Sequence, residues 1–208
     1  MAATRHTGGV GLGTTLAVRI HIELHSAGVE QAAATLWEME LTILSPAIWE
    51  VDSVLRSRSE VALAQEDARR ALETTRADVD RLNELGLRVY LPEALTRLAR
   101  ALLRLGRVTE ARECLLTAAD QVQRMGAPML EWTVLHALGK LETEDRNPAR
   151  AEPYWARARD LVSRIAPRAP TPELRQSFLA RPEVREMFGA TVDSPGGSQK
   201  PASPQPAL

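Results

Sequence analysis

A glycine-rich run near the N-terminus has the residue types of a nucleotide site. Residues 8–15 read GGVGLGTT, which matches the glycine spacing of the phosphate-binding loop G-x-x-x-x-G-K-[ST]. Such a loop surrounds phosphates with backbone amides and needs a lysine to reach them, yet Thr14 stands at the lysine position. Residues 2–7 are too few and too polar for the buried strand that should precede it. We interpret the run as part of a flexible leader, with a degenerate ATPase loop as the alternative.

Two histidines and one cysteine are the remaining candidates for chemistry. His21 and His25 are four residues apart and share a helix face, as metal ligands would. The metalloprotease pattern requires glutamate directly after the first histidine, whereas Glu23 comes one residue later, about 100° around the helix. Cys114 is the only cysteine, which excludes an intramolecular disulfide and a multi-cysteine zinc site. We predict no catalytic residue, no metal and no cofactor.

The composition predicts that helices position these residues. Alanine, leucine, arginine and glutamate dominate the 208 residues and aromatic residues make up only 4%, which favours an all-α fold. The formal net charge of −1 provides no basic field for nucleic acid. The sequence contains neither a signal-peptide pattern nor about 18 consecutive apolar residues. We therefore expect a cytoplasmic protein that binds no nucleic acid and no membrane.

Residues 92–126 contain two predicted helices separated by a turn at Gly106. The buried positions of the first helix follow the spacing i, i+3, i+4, i+7 and are Leu95, Leu98, Ala99 and Leu102. Those of the second helix are Ala111, Leu115 and Ala118, and Gly126 provides a left-handed C-cap.

The same pattern recurs forty residues later. The corresponding residues are Leu135, Leu138, Gly139, Ala151, Trp155 and Ala158. Glu142 is the exception, because Leu102 predicts an apolar residue there.

The pattern continues upstream in a looser form. In the first unit we expect one buried face from Ala17, Ile20 and Leu24, a turn at Gly28, and a second helix with Ala33 and Trp37 in the core. The second unit offers Leu55, Ala62, Ala68 and Leu72 as buried positions, and its turn near residues 65–67 contains no glycine. These segments predict four helical hairpins.

The spacing of the third and fourth units resembles a tetratricopeptide repeat, although forty residues exceed the usual period of about 34. The longer period and the closing segment, residues 165–188, are similar to the C-terminal tails of large bacterial signal-transduction ATPases and of maltose-activator-type transcription regulators. The resemblance covers residues 16–188. It implies a right-handed α-solenoid of about four hairpins with a C-terminal capping helix.

We predict three segments: a disordered leader (1–13), a helical repeat domain (14–189) and a disordered tail rich in Pro, Ser and Gly (190–208). In the closing segment, Thr171 should cap a helix that begins at Pro172 and that Pro182 interrupts. Phe178, Leu179 and Phe188 should cover the end of the stack. Trp49 and Trp132 are interpreted as packing residues.

The solvent faces of the first helices carry a predicted cationic strip. It consists of Arg97, Arg100, Arg104, His136 and Lys140, and it suits the carboxylates of an acidic or C-terminal peptide. The alternative is a solvated face with local pairs such as Glu93 with Arg97.

The predicted function is a non-catalytic protein–protein interaction scaffold that acts as a regulatory or adaptor segment in bacterial signalling. The alternatives are a nucleotide-binding ATPase remnant, part of a multidomain ATPase or transcription regulator, and a nucleic-acid regulator. Self-association also stays open.

Overall fold

The computed structural model describes residues 11–43, 48 and 50–189. The predicted tail, residues 1–10 of the predicted leader, and Trp49 lie outside the described residues. Within the described part, the regular secondary structure is helical throughout, which confirms the all-α prediction. No helix of that part has both the length and the hydropathy needed to cross a bilayer.

Eight long helices form four successive hairpins, and two short helices follow them. In chain order they are α1 (Leu12–Ser26), α2 (Val29–Thr42), α3 (Val51–Ala64), α4 (Ala68–Glu84), α5 (Leu91–Arg104), α6 (Val108–Met125), α7 (Pro128–Glu144), α8 (Pro148–Ile165), α9 (Pro172–Leu179) and α10 (Pro182–Met187). Single 3₁₀ turns precede α5 (Arg88–Tyr90) and follow α8 (Ala166–Arg168).

Each of the eight long helices packs against the helices next to it in sequence. The first helices of the hairpins also contact one another in succession: α1 with α3, α3 with α5, and α5 with α7. The first helices therefore lie closer together than the second helices do, and their equivalent positions follow one another along one side of the molecule.

The forty-residue period is visible in the backbone. Glu66, Gly106 and Arg146 occupy the turn inside the second, third and fourth hairpins, with φ of 60°, 71° and 56°. Gly86 and Gly126 take the left-handed conformation between hairpins, again forty residues apart. Only glycine adopts this region without steric cost. The turn geometry thus recurs even where Glu66 and Arg146 replace the glycine.

Several predicted helix boundaries are confirmed. The hydroxyl of Thr171 accepts a hydrogen bond from the backbone amide of Leu174 at 3.3 Å and caps α9, while Pro182 begins α10. Asp67, which follows the turn without glycine, caps α4 by accepting from the Arg70 amide at 3.0 Å. The first helix begins at Leu12, two residues before the predicted domain boundary.

Except for Gly139 and Ala151, the predicted buried positions of the third and fourth units belong to one continuous core that also includes residues of α3 and α4. A second cluster joins the first hairpin to α3. The prediction that Trp37 lies in the core is wrong, because 65% of its surface is exposed. Trp132 is completely buried, which confirms its role in packing.

The short helices α9 and α10 close the C-terminal end. Phe178 packs edge-on against Trp132 with ring centroids 5.8 Å apart. Val184 and Met187 enter the core and provide most of the burial. Leu179 and Phe188, which were expected to cover this end, remain exposed at 36% and 50%. The capping segment consists of two helices, as expected from Pro182, because this proline begins the second helix.

Candidate functional site

The side chains of interest lie along α3, α5 and α7. We call this surface the first-helix face and define it by Asp52, Arg56, Glu60, Glu93, Arg97, Arg100, Arg104, His136 and Lys140. All five cations predicted to bind a partner belong to it. The sequence already places Glu93 on this face, as a local partner of Arg97. The structure pairs Glu93 with Arg56 instead, and it adds three residues to the face: Asp52, Arg56 and Glu60.

Ion pairs connect α3 to α5 across this face. The Arg100 guanidinium lies 3.2 Å from both carboxylate oxygens of Glu60, which is forty residues earlier. Arg56 reaches Asp52 on its own helix at 2.9 Å and Glu93 on α5 at 2.6 Å. The arginines of α5 therefore lie beside α3, which carries the carboxylates of Asp52 and Glu60. The net positive charge of the strip is smaller than its arginines alone would give.

Arg104 and Arg97 differ in exposure. Arg104 is exposed and donates a hydrogen bond to the backbone carbonyl of Leu63. Arg97 is only 4% exposed, so its predicted position on a solvent face is wrong. Its Nε and Nη2 atoms are buried and have no hydrogen-bond partner among the described residues. Burial lowers the pKa of Arg97, and the carboxylates of Glu60 and Asp52 oppose this effect.

A buried polar pair lies near Arg97. Ser59 of α3 donates a hydrogen bond to Asp78 of α4, and both side chains are nearly inaccessible. Burial raises the pKa of Asp78 to about 6, although the hydrogen bond from Ser59 and the charge of Arg97 act in the opposite direction. Burial therefore makes Asp78 harder to ionise than an exposed aspartate, although Ser59 and Arg97 both favour its charged form.

The two remaining predicted cations contact the C-terminal segment. His136 is 9% exposed, and its Nε2–H donates to Glu186 of α10 at 2.9 Å. The Lys140 ammonium lies 3.6 Å from the other oxygen of Glu186. His136 also packs edge-on against Trp155, with centroids 5.3 Å apart. The Glu186 carboxylate thus binds both predicted cationic residues of the fourth unit, His136 and Lys140.

The predicted strip is therefore divided into two groups. Arg97, Arg100 and Arg104 belong to the α3–α5 group, whereas His136 and Lys140 belong to the α7–α10 group. The Glu60–Arg100 pair could have been found from the sequence, because opposite charges stand one repeat apart. No sequence signal indicated Ser59 and Asp78 as a pair, nor Glu186 as a contact of α7.

The described part of the glycine-rich run begins a helix. Gly11 precedes α1, and the backbone amide of Gly13 in the first turn donates to the Glu50 carboxylate at 3.0 Å. In a phosphate-binding loop, amides of this kind point at a phosphate. Here a carboxylate from 37 residues away occupies that position. The first three residues of the run, 8–10, lie outside the described residues.

The histidines and the cysteine show no arrangement for chemistry. His25 Nδ1–H donates to the His21 carbonyl at 2.8 Å, and the two rings lie 4.5 Å apart. The described residues contain no group of three or more side chains that could hold a metal ion. Burial raises the pKa of the Cys114 thiol, which disfavours the reactive thiolate.

Comparison of the chain with protein-family models and with curated proteins finds no match. No family membership follows from these comparisons.

Proposed function

We propose that the chain is a non-catalytic protein–protein interaction scaffold, built as a right-handed α-solenoid of four hairpins similar to tetratricopeptide repeats. The recurring left-handed turns and the successive contacts of α1, α3, α5 and α7 support this arrangement. In such a solenoid the first-helix face lines the concave side. There it binds an extended segment of a partner protein.

The observation that carries this proposal is the pair of exposed arginines on α5, Arg100 and Arg104, which lie four residues apart on the first-helix face. A carboxylate of an acidic segment would exchange with that of Glu60 at Arg100, and the same segment would reach Arg104. Arg97 is buried and lies outside this contact.

The test is a selection of displayed random peptides on the full chain, followed by affinity measurement. We expect enriched peptides to be acidic, and we expect the double variant Arg100→Glu/Arg104→Glu to bind them at least about tenfold more weakly. Binding should also weaken as salt rises from about 0.1 M to 1 M, because the screening length falls from about 10 to 3 Å.

The matched control is Arg124→Glu. Arg124 is a highly exposed arginine on α6, a second helix, and among the described residues it pairs only with Asp120 of the same helix. This variant should keep the wild-type affinity. The proposal is wrong if no peptide is enriched, or if Arg124→Glu weakens binding as much as the double variant does.

We also propose that the chain does not bind nucleotide. The Glu50 carboxylate at the first turn of α1 supports this, because it would repel a phosphate and already satisfies the Gly13 amide. Millimolar Mg-ATP should leave the melting temperature unchanged in the wild type and in Glu50→Gln. An increase in the wild type would revive the ATPase alternative.

The resemblance to the tails of signalling ATPases supports a regulatory or adaptor role, which we place in the cytoplasm because the chain has a single cysteine. An immunoblot of native cells tests whether the chain is a separate protein or a segment of a larger one. A band near 22.9 kDa supports a separate adaptor. A band several-fold heavier supports a segment of a multidomain regulator.

A further inference from the structure

The first hairpin has an inner side and an outer side. Its inner side packs against Val54 and Val61 of α3. Its outer side exposes four large apolar side chains, two on each helix: Val18 (55%), Ile22 (57%), Trp37 (65%) and Leu41 (60%). We call these four residues the end face. No other hairpin of the described chain exposes as many large apolar side chains.

The end face joins two apolar stripes, one on each helix, into one surface. Val18 and Ile22 are four residues apart and form a stripe along α1, and Trp37 and Leu41 do the same along α2. The Arg19 guanidinium lies 3.3 Å from the Glu38 carboxylate and crosses between the helices on the solvent side. With 100° per residue, this ion pair falls between the two stripes. The end face therefore consists of two apolar stripes with a charged pair between them.

The stripe on α1 occupies positions that other hairpins bury. The hairpins can be aligned on the residue that precedes each second helix, which is Gly28, Asp67 or Arg107. Six residues before it stand Ile22 in the first hairpin, Val61 in the second and Ala101 in the third. Val61 packs on the first hairpin and Ala101 packs on the second. The same count matches Val18 with Ser57 and Arg97, both 4% exposed. This stripe thus has the positions of a stacking surface, and no helix of the described residues covers it.

We propose that the end face binds the end face of a second copy of the chain in a two-fold symmetric dimer. The stacking stripe of α1 needs a helix with apolar residues four apart, and Trp37 and Leu41 on α2 form such a helix. A two-fold axis through the Arg19–Glu38 pair places α1 on α2 of the second copy, and this contact occurs twice. The same axis brings Arg19 to Glu38 of the second copy, so the charges are also complementary. The end face therefore contains both the stripe of α1 and the stripe of α2 that would pack on it. Binding to a different protein would need only one of these two stripes.

The first experiment is sedimentation equilibrium of the full chain from about 1 to 200 µM. We expect a concentration-dependent rise from the 22.9 kDa monomer to twice that mass and no further, because a two-fold contact closes. Trp37→Glu and Ile22→Glu should each raise the dissociation constant at least about tenfold. Their circular dichroism should stay unchanged, because both side chains are exposed.

The matched control is Leu116→Glu. Leu116 is 43% exposed on α6 and has the same position in its hairpin as Trp37, nine residues after the residue that precedes the second helix. It is not part of the end face, and its variant should dimerise as the wild type does. The dimer proposal is overturned by a wild type that stays monomeric, by assemblies larger than a dimer, or by end-face variants that dimerise normally.

A charge exchange tests the symmetry itself. Arg19→Glu alone and Glu38→Arg alone should each dimerise more weakly than the wild type, because like charges meet at both contacts. A mixture of the two variants should form a heterodimer with affinity near that of the wild type, because each contact then pairs opposite charges. A mixture that dimerises no better than the separate variants would contradict the two-fold arrangement.

Discussion

The third hairpin (α5–α6) and the fourth (α7–α8) follow one pattern but fill it differently. In the fourth hairpin Gly139 faces Trp155, and in the third the equivalent positions hold Ala99 and Leu115, both in the core. A Cβ added to Gly139 would lie 2.7 Å from the Trp155 indole. The large Trp155 side chain on α8 is thus accommodated because residue 139 on α7 is a glycine. The side-chain volume is therefore distributed differently between the two helices of each hairpin.

The hairpins also differ in how they treat charge. Leu102 is buried in the third hairpin, and its counterpart Glu142 is 1% exposed in the fourth. Arg112 of α6 approaches Glu142 at 2.6 Å and Asp145 at 2.6 Å. The second hairpin places the polar pair Ser59 and Asp78 where later hairpins have only alanine or glycine. One repeat geometry therefore accepts apolar or polar side chains at equivalent buried positions.

The largest expected effect tests the charged difference. Arg112→Met leaves the Glu142 carboxylate buried without its partner and should lower the free energy of unfolding by about 3–5 kcal/mol. Urea unfolding at pH 7 measures the change. The double variant Arg112→Met/Glu142→Leu restores the apolar content of the third hairpin and should recover most of the loss. A double variant as unstable as the single one would show that the two residues act independently.

The second prediction uses pH to separate the second hairpin from the third. The pKa of Asp78 is about 6 when folded and near 3.8 when unfolded. As pH rises from 4 to 6, the unfolded carboxyl releases its proton while the folded one retains it. The unfolded state then binds fewer protons, so the free energy of unfolding falls by roughly 2–3 kcal/mol and levels off above pH 6.

Asp78→Ala gives the second hairpin the alanine found in the third and should remove this decrease. Urea unfolding of both proteins at several pH values measures the difference between their profiles. Parallel profiles would mean that Asp78 does not carry the pH dependence.

The third prediction concerns the contact between Gly139 and Trp155 in the fourth hairpin. Gly139→Ala should lower the free energy of unfolding by about 1–3 kcal/mol, because the new methyl group overlaps the rigid indole of Trp155. Gly139→Ala/Trp155→Leu reproduces the third hairpin and should be more stable than the single variant. Thermal unfolding compares them. An additive loss in the double variant would contradict the compensation between these two residues.

The smallest effect concerns the turns. Arg146 has φ of 56° at the position that Gly106 fills in the third hairpin. Arg146→Gly should raise the free energy of unfolding by about 0.5–1 kcal/mol, since glycine removes the steric cost of this conformation. Gly106→Ala should have the opposite sign, and calorimetry of the two variants measures both shifts. Equal signs would mean that the turns are not equivalent.

Much of the fold was predictable because the information is local. The apolar spacing around Leu95 and Leu135, the turn at Gly106 and the cap at Thr171 each depend on residues within one or two helical turns. The candidate site was less predictable. The sequence identified its cations, but the burial of Arg97 and the contact of His136 with Glu186 depend on helices from other parts of the chain.

The sequence by itself determined the helical class, the forty-residue period and the small residues at helix contacts, since helix propensity and apolar periodicity act over short distances. Only the tertiary structure decided which side of each helix meets a neighbour. The same spacing buries Val61 in the second hairpin and Ala101 in the third, and it leaves Ile22 exposed in the first. Trp37 was misplaced for a related reason: periodicity defines the faces of a helix, but burial depends on which helices lie beside it.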